Sequence, residues 1–355
     1  MKLKTTFLSA LFFVTGSLVF SQIPAGYYNT AAGLTGPALK TALHNIIDNH
    51  TVVSYSSLWG HFASTDKKSS GKVWDMYSDN PGGTPPYEYN FVSDQCGSYG
   101  GEADCFNREH SWPQSWFSSL SIPGSDLFHI YPTDGYVNNK RGNYPYGTVG
   151  VTTWTSLNGG KLGYHTGPGY SSLVFEPIDE YKGDLARSHF YMSTRYESED
   201  SGWSTSAGTN KSNILPWYVD LLLSWNQMDP VSAKEIARNN AVYGIQDNRN
   251  PYIDHPEWVD SIWSITFTGI NESTLNELSI QIFPNPGSEQ FSIEHSGKTK
   301  EDITLRIYNL LGEEIYNYEK VSDQFIVDCS FWNSGIYILS FSSGTGRKVL
   351  KFAKD

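Results

Sequence analysis

The sequence predicts an α+β chain: a large domain mixing helices and strands, followed by a small all-β sandwich. Two observations carry this. Apolar residues recur at helical spacing between Ala31 and Tyr243, with long Gly- and Pro-rich stretches between the helical segments. Beyond a polar connector the spacing changes to strict alternation, with turn residues at short intervals. At 355 residues the chain is long enough for two domains, one with a sizeable core.

The N-terminus comes first. Lys2 and Lys4 precede an apolar run from Phe7 to Phe20, and Val19 and Ser21 are small. This predicts a secretory signal over 1–21, cleaved after Ser21. The run is short for a membrane span and is interrupted by Ser9, Thr15, Gly16 and Ser17. A soluble exported protein is expected.

Residues 22–265 form the expected mixed domain. Ala31 to Asn49 has helical spacing through Leu39, Leu43, Ile46 and Ile47. Ser64 to Gly101 is rich in Gly, Pro, Ser and Asp and reads as loop. Helical patterns return at Gly183–Tyr196, Trp217–Trp225 and Ser232–Tyr243. Residues 266–278 form the connector. From 279 to 355, Ile303, Leu305 and Ile307 alternate with polar residues, as do the flanks of Tyr337–Phe341 and Val349–Phe352. Pro284-Asn285-Pro286, Gly312, Asn333-Ser334-Gly335 and Gly344-Thr345-Gly346 supply turns between short strands, as in a small sandwich.

Composition narrows the class. Aromatic residues make up 15 % and charged residues only 17 %, which suits a globular protein and not a disordered one. The net charge of −12 argues against bulk attraction to nucleic acid. The charge is uneven, however. From Asp126 to Arg195 six cations face six anions, and one bound divalent ion would turn that region positive. Cys96 and Cys105 flank a short loop and are a disulfide candidate in an oxidising space; Cys329 has no evident partner. No cysteine pair has zinc-finger spacing, and the missing His-Glu-x-x-His string counts against a zinc peptidase.

The most informative run is Cys105-Phe106-Asn107-Arg108-Glu109-His110-Ser111-Trp112-Pro113. An imidazole takes a proton from water at neutral pH, a carboxylate holds a divalent metal, and an arginine binds a phosphate oxygen. Phosphodiester hydrolysis needs all three. Adjacent strand residues point to opposite faces, so Glu109 and His110 share one phosphate only if the strand ends or twists there; Pro113 favours an ending.

A second segment runs from Ser125 to Asn143. Thr133 is a candidate N-cap and Gly142 a candidate stop, leaving a short helix with Asn138 and Arg141 on one face. Asn138 offers an amide oxygen to a hard cation, and Arg141 is expected to reach a phosphate. His129 is a second imidazole, either binding substrate or serving as a structural histidine. Asp126 and Asp134 read as caps or as groups supporting the ligands, not as direct ligands. A third segment carries Arg187, Tyr191 and Arg195 on one helix face. The two arginines suit a sugar-phosphate backbone, or Arg187 pairs with Glu176 or another acid inside the domain.

The run around Glu109-His110 resembles the signature of the endonuclease I family, and the later segments extend the likeness over most of residues 25–263. The resemblance implies a ββα-metal (His-Me finger) nuclease: His110 as general base, Glu109 and Asn138 as ligands to one divalent ion, and Arg141 at the reaction centre. On their own chemistry, Arg108, His129, Arg187 and Arg195 are the expected substrate contacts. Mg²⁺ is the expected ion, with Mn²⁺ or Ca²⁺ as alternatives. The implied reaction is cleavage of DNA, and also of RNA, leaving 5′-phosphates; without a recognition helix, little base readout is expected, and the protein is expected to be a monomer. The strings Phe283-Pro284-Asn285-Pro286, Ile307-Tyr308-Asn309-Leu310-Leu311-Gly312, Ser334-Gly335-Ile336-Tyr337 and Lys348-Val349-Leu350-Lys351-Phe352 resemble the type IX secretion C-terminal sorting domain. That implies an export address read by outer-membrane machinery of a Bacteroidetes-type bacterium, with the product secreted or held at the cell surface.

Overall fold

Helix α1 (Gly36–Ile47) shows how the large domain is assembled. Pro37 starts it with a ready-made φ, and Leu39, Leu43 and Ile47 form a fully buried stripe. The computed structural model describes residues 23–117, 122–264, 279–296, 303–309, 313–319, 324–343 and 346–355. The expected signal segment 1–21 and connector 266–278 lie outside these, as do 310–312 and 344–345. The chain divides into two compact units, Met1–Ser264 and Ile265–Asp355.

In the first unit, α1 is followed by α2 (Leu58–Thr65), a short helix that the apolar spacing did not single out. The stretch from 66 to 105 holds turns and isolated bridges, in line with its composition. Strands β1 (Phe106–His110) and β2 (Ile130–Asp134) pair antiparallel, Phe106 with Asp134 and His110 with Ile130. Helix α3 (Gly135–Arg141) follows at once. Its N-cap is Asp134, whose side chain accepts from the Val137 amide, and not Thr133, which stays in β2 opposite Asn107. Gly142 closes it at φ +55°, a conformation open to glycine.

A three-stranded sheet comes next, β3 (Val149–Thr155), β4 (Lys161–His165) and β5 (Leu173–Glu176). Helix α4 (Lys182–Arg195) is buried along its whole length. The two-residue strands β6 (Thr209–Asn210) and β7 (Asn213–Ile214) lead into α5 (Pro216–Met228). Helix α6 (Ala233–Gln246) opens on a complete capping box between Ser232 and Glu235. Helices α7 (Pro251–Asp254) and α8 (Glu257–Trp263) close the unit. Its core is strongly aromatic, with Phe62, Phe106, Trp112, Tyr146, Tyr191 and Tyr218 fully buried. Cys96 and Cys105 form a disulfide with Cα atoms 5.8 Å apart. The bond ties the preceding loop to the start of β1.

The second unit is all β among its described residues. Strands β8 (Ser279–Phe283), β9 (Gln290–Ser296) and β12 (Gln324–Asp328) form one antiparallel sheet. Strands β10 (Thr304–Asn309), β11 (Glu314–Tyr318), β13 (Gly335–Ser343) and β14 (Gly346–Lys354) form another. Leu305 and Ile307, Leu339 and Phe341, and Phe291 and Ile293 enter one shared core, as alternation requires. No described helix is long and apolar enough to cross a membrane.

Candidate active site

The β1 pleat sorts the key residues. Asn107 and Glu109 lie on one face, and Phe106, Arg108 and His110 on the other. Helix α3 packs against the first face. Asn138 donates its amide to Asn107 Oδ1 at 2.7 Å, and Arg141 Nη1 donates to Glu109 Oε1 at 2.9 Å. Asn138 and Arg141 sit three residues apart on α3, so the two contacts run side by side.

Glu109 is 2 % exposed. Its Oε1 also accepts from the hydroxyls of Tyr77 at 2.9 Å and Tyr146 at 3.5 Å. Burial pushes its carboxyl up to about 7, against the opposing pull of Arg141 and the hydroxyls. All these hydrogen bonds land on one oxygen, which turns Oε2 away from them. Arg141 is itself buried and also donates to the carbonyls of His110, at 2.8 Å, and Ser111. It was expected at a phosphate. With both terminal nitrogens so engaged it instead braces the strand end and the Glu109 carboxylate.

His110 is the last residue of β1. Its Nε2 lies 3.1 Å from the Gly124 carbonyl, which can only accept, so Nε2 carries the proton and Nδ1 the lone pair. The Gln114 amide flanks the same nitrogen at 3.3 Å. Burial lowers the ring to about 3, helped by the neighbouring His129 and by Arg108 and Arg141. The imidazole is therefore neutral at pH 7. The Tyr55 ring stacks near it, centroids 6.0 Å apart at 24°. Arg108 lies under the same tyrosine, 3.7 Å from its centroid and 4.5 Å from that of Trp59, and donates to the Tyr55 carbonyl at 2.9 Å.

Three expected substrate contacts are drawn inward. His129 has no exposed surface and holds the Pro123 carbonyl through Nε2 at 2.6 Å. It packs 5.4 Å from the His110 ring. Arg187 forms a two-pronged pair with Glu235, at 2.6 and 2.8 Å, and reaches Asn226 and the Asp229 carbonyl. The internal-pairing alternative holds for Arg187, with Glu235 as the acid and not Glu176. Arg195 spends its donors on His50 at 2.9 Å and Glu199 at 2.9 Å. Tyr191 between them is buried and donates to Asp126. The helix face that carries these three residues packs into the protein. Asp126 caps the 3-10 turn before β2 by accepting from the Phe128 amide.

Sequence reading missed Tyr55, Tyr77 and Tyr146. No local signal marks them, because each acquires its role from β1 packing against a distant loop. A grouping of His44, Asp48 and Glu199 has ligand atoms within 4.8 Å, but Glu199 is ion-paired with Arg195.

Comparison with known proteins identifies the family of each unit. The description "Endonuclease I" matches residues 35–257, and "Secretion system C-terminal sorting domain" matches residues 281–355. An extracellular ribonuclease of Bacillus amyloliquefaciens is 39 % identical over 67 % of this chain and 78 % of its own. An extracellular ribonuclease of Bacillus subtilis is 37 % identical over 70 % of this chain and 84 % of its own. Endonuclease-1 of Buchnera aphidicola subsp. Baizongia pistaciae is 30 % identical over 36 % of this chain and 46 % of its own. The sorting domain addresses the protein to type IX secretion, outside the cell or on its surface. The chain belongs to the endonuclease I family and is a secreted nuclease.

Proposed function

We propose that this nuclease hydrolyses phosphodiesters of DNA and RNA without base readout, leaving 5′-phosphates, through a ββα-metal site. The supporting observation is a neutral His110 at the end of β1 whose Nε2 is pinned, with two oxygen donors on the opposite side of the same strand. Those donors, Glu109 Oε2 and Asn138 Oδ1, are hard oxygens that suit Mg²⁺, or Mn²⁺ and Ca²⁺. Burial that lifts the Glu109 pKa is a cost that a bound cation removes. When bound, the ion supplies positive charge to the phosphorane and to the leaving 3′ oxygen.

The chain's own residues do the rest. His110 Nδ1 takes a proton from water as the water oxygen bonds to phosphorus; the bond from phosphorus to the 3′ oxygen breaks, and that oxygen is protonated from solvent. Arg108, anchored through Nη1, turns its remaining donors to the non-bridging oxygens. The phosphate is placed at the strand end, where His110 closes β1. Backbone contact alone reads no sequence.

The test is digestion of supercoiled DNA and of RNA by the full chain across a divalent-metal panel, with EDTA as control. His110→Ala should lose about 10²–10⁴ in rate while still binding metal. Glu109→Ala and Asn138→Ala should raise the metal requirement. A fully active His110→Ala protein would eliminate the proposed base.

A further inference from the structure

Tyr55 is a large aromatic residue left 42 % exposed beside a histidine that is only 7 % exposed. It belongs to the loop between α1 and α2, and that loop is held in place. The Thr51 amide donates to the Gln246 carbonyl at 2.7 Å, the Ser57 amide donates to the Ser54 carbonyl at 3.0 Å, and Arg108 clasps the Tyr55 carbonyl. The ring is thus presented at a set position. Arg108 and His110 occupy one face of β1, and both pack against the ring. The tyrosine nevertheless keeps 42 % of its surface open to solvent. Core tyrosines of this domain behave differently: Tyr77, Tyr146 and Tyr218 are at most 1 % exposed and hydrogen bond through their hydroxyls.

A nucleotide carries its base one sugar away from its phosphate. A phosphate held by Arg108 and attacked from His110 therefore brings a neighbouring base to the exposed part of Tyr55. Every base offers a π face, so such a contact tolerates any sequence, yet it needs a base that is out of the duplex stack. Resting on the nuclease mechanism above, we propose that Tyr55 is a positioning residue that stacks the nucleobase flanking the scissile phosphodiester and makes unpaired strands the preferred substrate.

The experiment uses the full-length protein with Mg²⁺ and three oligonucleotides: a single strand, the same strand with one tetrahydrofuran abasic residue, and the strand annealed to its complement. Wild type should cut the phosphodiesters next to the abasic residue about tenfold more slowly than the matching intact ones, and should prefer the single strand to the duplex. Tyr55→Ala should flatten both differences and lose more in KM than in kcat. Tyr55→Trp should keep both differences, which separates stacking from a merely structural contribution to the loop. If wild type cuts the intact strand but ignores the abasic residue, the stacking role is overturned and the nuclease mechanism stands. If no strand is cut, both fail.

Discussion

The Arg141 guanidinium sits 2.9 Å from the Glu109 carboxylate, and both side chains are at most 2 % exposed. A pair buried this deeply is costly to form and worse to break, because removing one partner strands the other charge in a low-dielectric interior. Glu109 is the carboxylate expected to meet the ion, so Arg141 places it as well as balancing it.

Arg141→Ala should lower unfolding stability by about 3–5 kcal/mol. Joint replacement, Glu109→Gln with Arg141→Met, should regain much of that loss and remain inactive. Urea unfolding followed by tryptophan fluorescence checks the first figure, and the metal-dependent nuclease assay checks the second. A stable and active Arg141→Ala protein would show that Glu109 needs no bracing.

Arg187 distinguishes fold from substrate contact. Its bond pair with Glu235 joins α4 to α6. Arg187→Ala should therefore cost about 3–5 kcal/mol of stability. The protein that remains folded, assayed well below its melting temperature, should keep its KM for nucleic acid. A raised KM with unchanged stability would return Arg187 to the substrate.

His189 makes stability depend on pH. It is buried beside Trp112, Tyr146 and Tyr218, and burial lowers its pKa from 6.5 to about 3. The unfolded chain protonates this ring near 6.5, whereas the folded one stays neutral down to about 3. Between those values unfolding takes up a proton, so this contribution is full above 6.5 and falls away as the pH drops. Relative to wild type, His189→Gln should flatten that fall by up to about 1.4 kcal/mol per pH unit. Urea unfolding of both proteins from pH 7 to 4 gives the difference; parallel curves would refute it.

The disulfide closes a short loop, with Cys96 and Cys105 9 residues apart. Chain entropy predicts that replacing both cysteines with alanine costs about 2–3 kcal/mol. The same loss should follow reduction of wild type with dithiothreitol, measured as a drop in melting temperature. Wild type that melts identically with and without reductant would mean that the loop needs no covalent tie.

The features legible in the chain were local ones. Helical spacing announced α1, α4, α5 and α6, and alternation with turn residues announced the C-terminal strands. The Glu109-His110 string pointed to hydrolysis before any geometry was known. The pleat argument placed those two residues on opposite faces of β1, which is where they lie. The N-cap of α3 was misread by one residue: Thr133 and Asp134 are both good caps, and only the pairing of Thr133 with Asn107 keeps it in the strand.

The arginines were not legible, and the reason is physical. Helix α4 carries Lys182, Asp184, Arg187 and Arg195, a pattern that suggests a wet surface. Each has a partner from another part of the chain: Glu176, Lys234, Glu235 and His50. Burial of a charge depends on whether its counter-charge arrives, and nothing in a single segment reports that. Sequence alone therefore determined the chemistry available to this protein: an imidazole, a carboxylate, an amide and several guanidinium groups, with an address for export. Tertiary structure decided which of those groups meet solvent. Packing turned Arg141, Arg187 and Arg195 into internal braces and left Tyr55 beside His110, because long-range contacts set both exposure and ionisation.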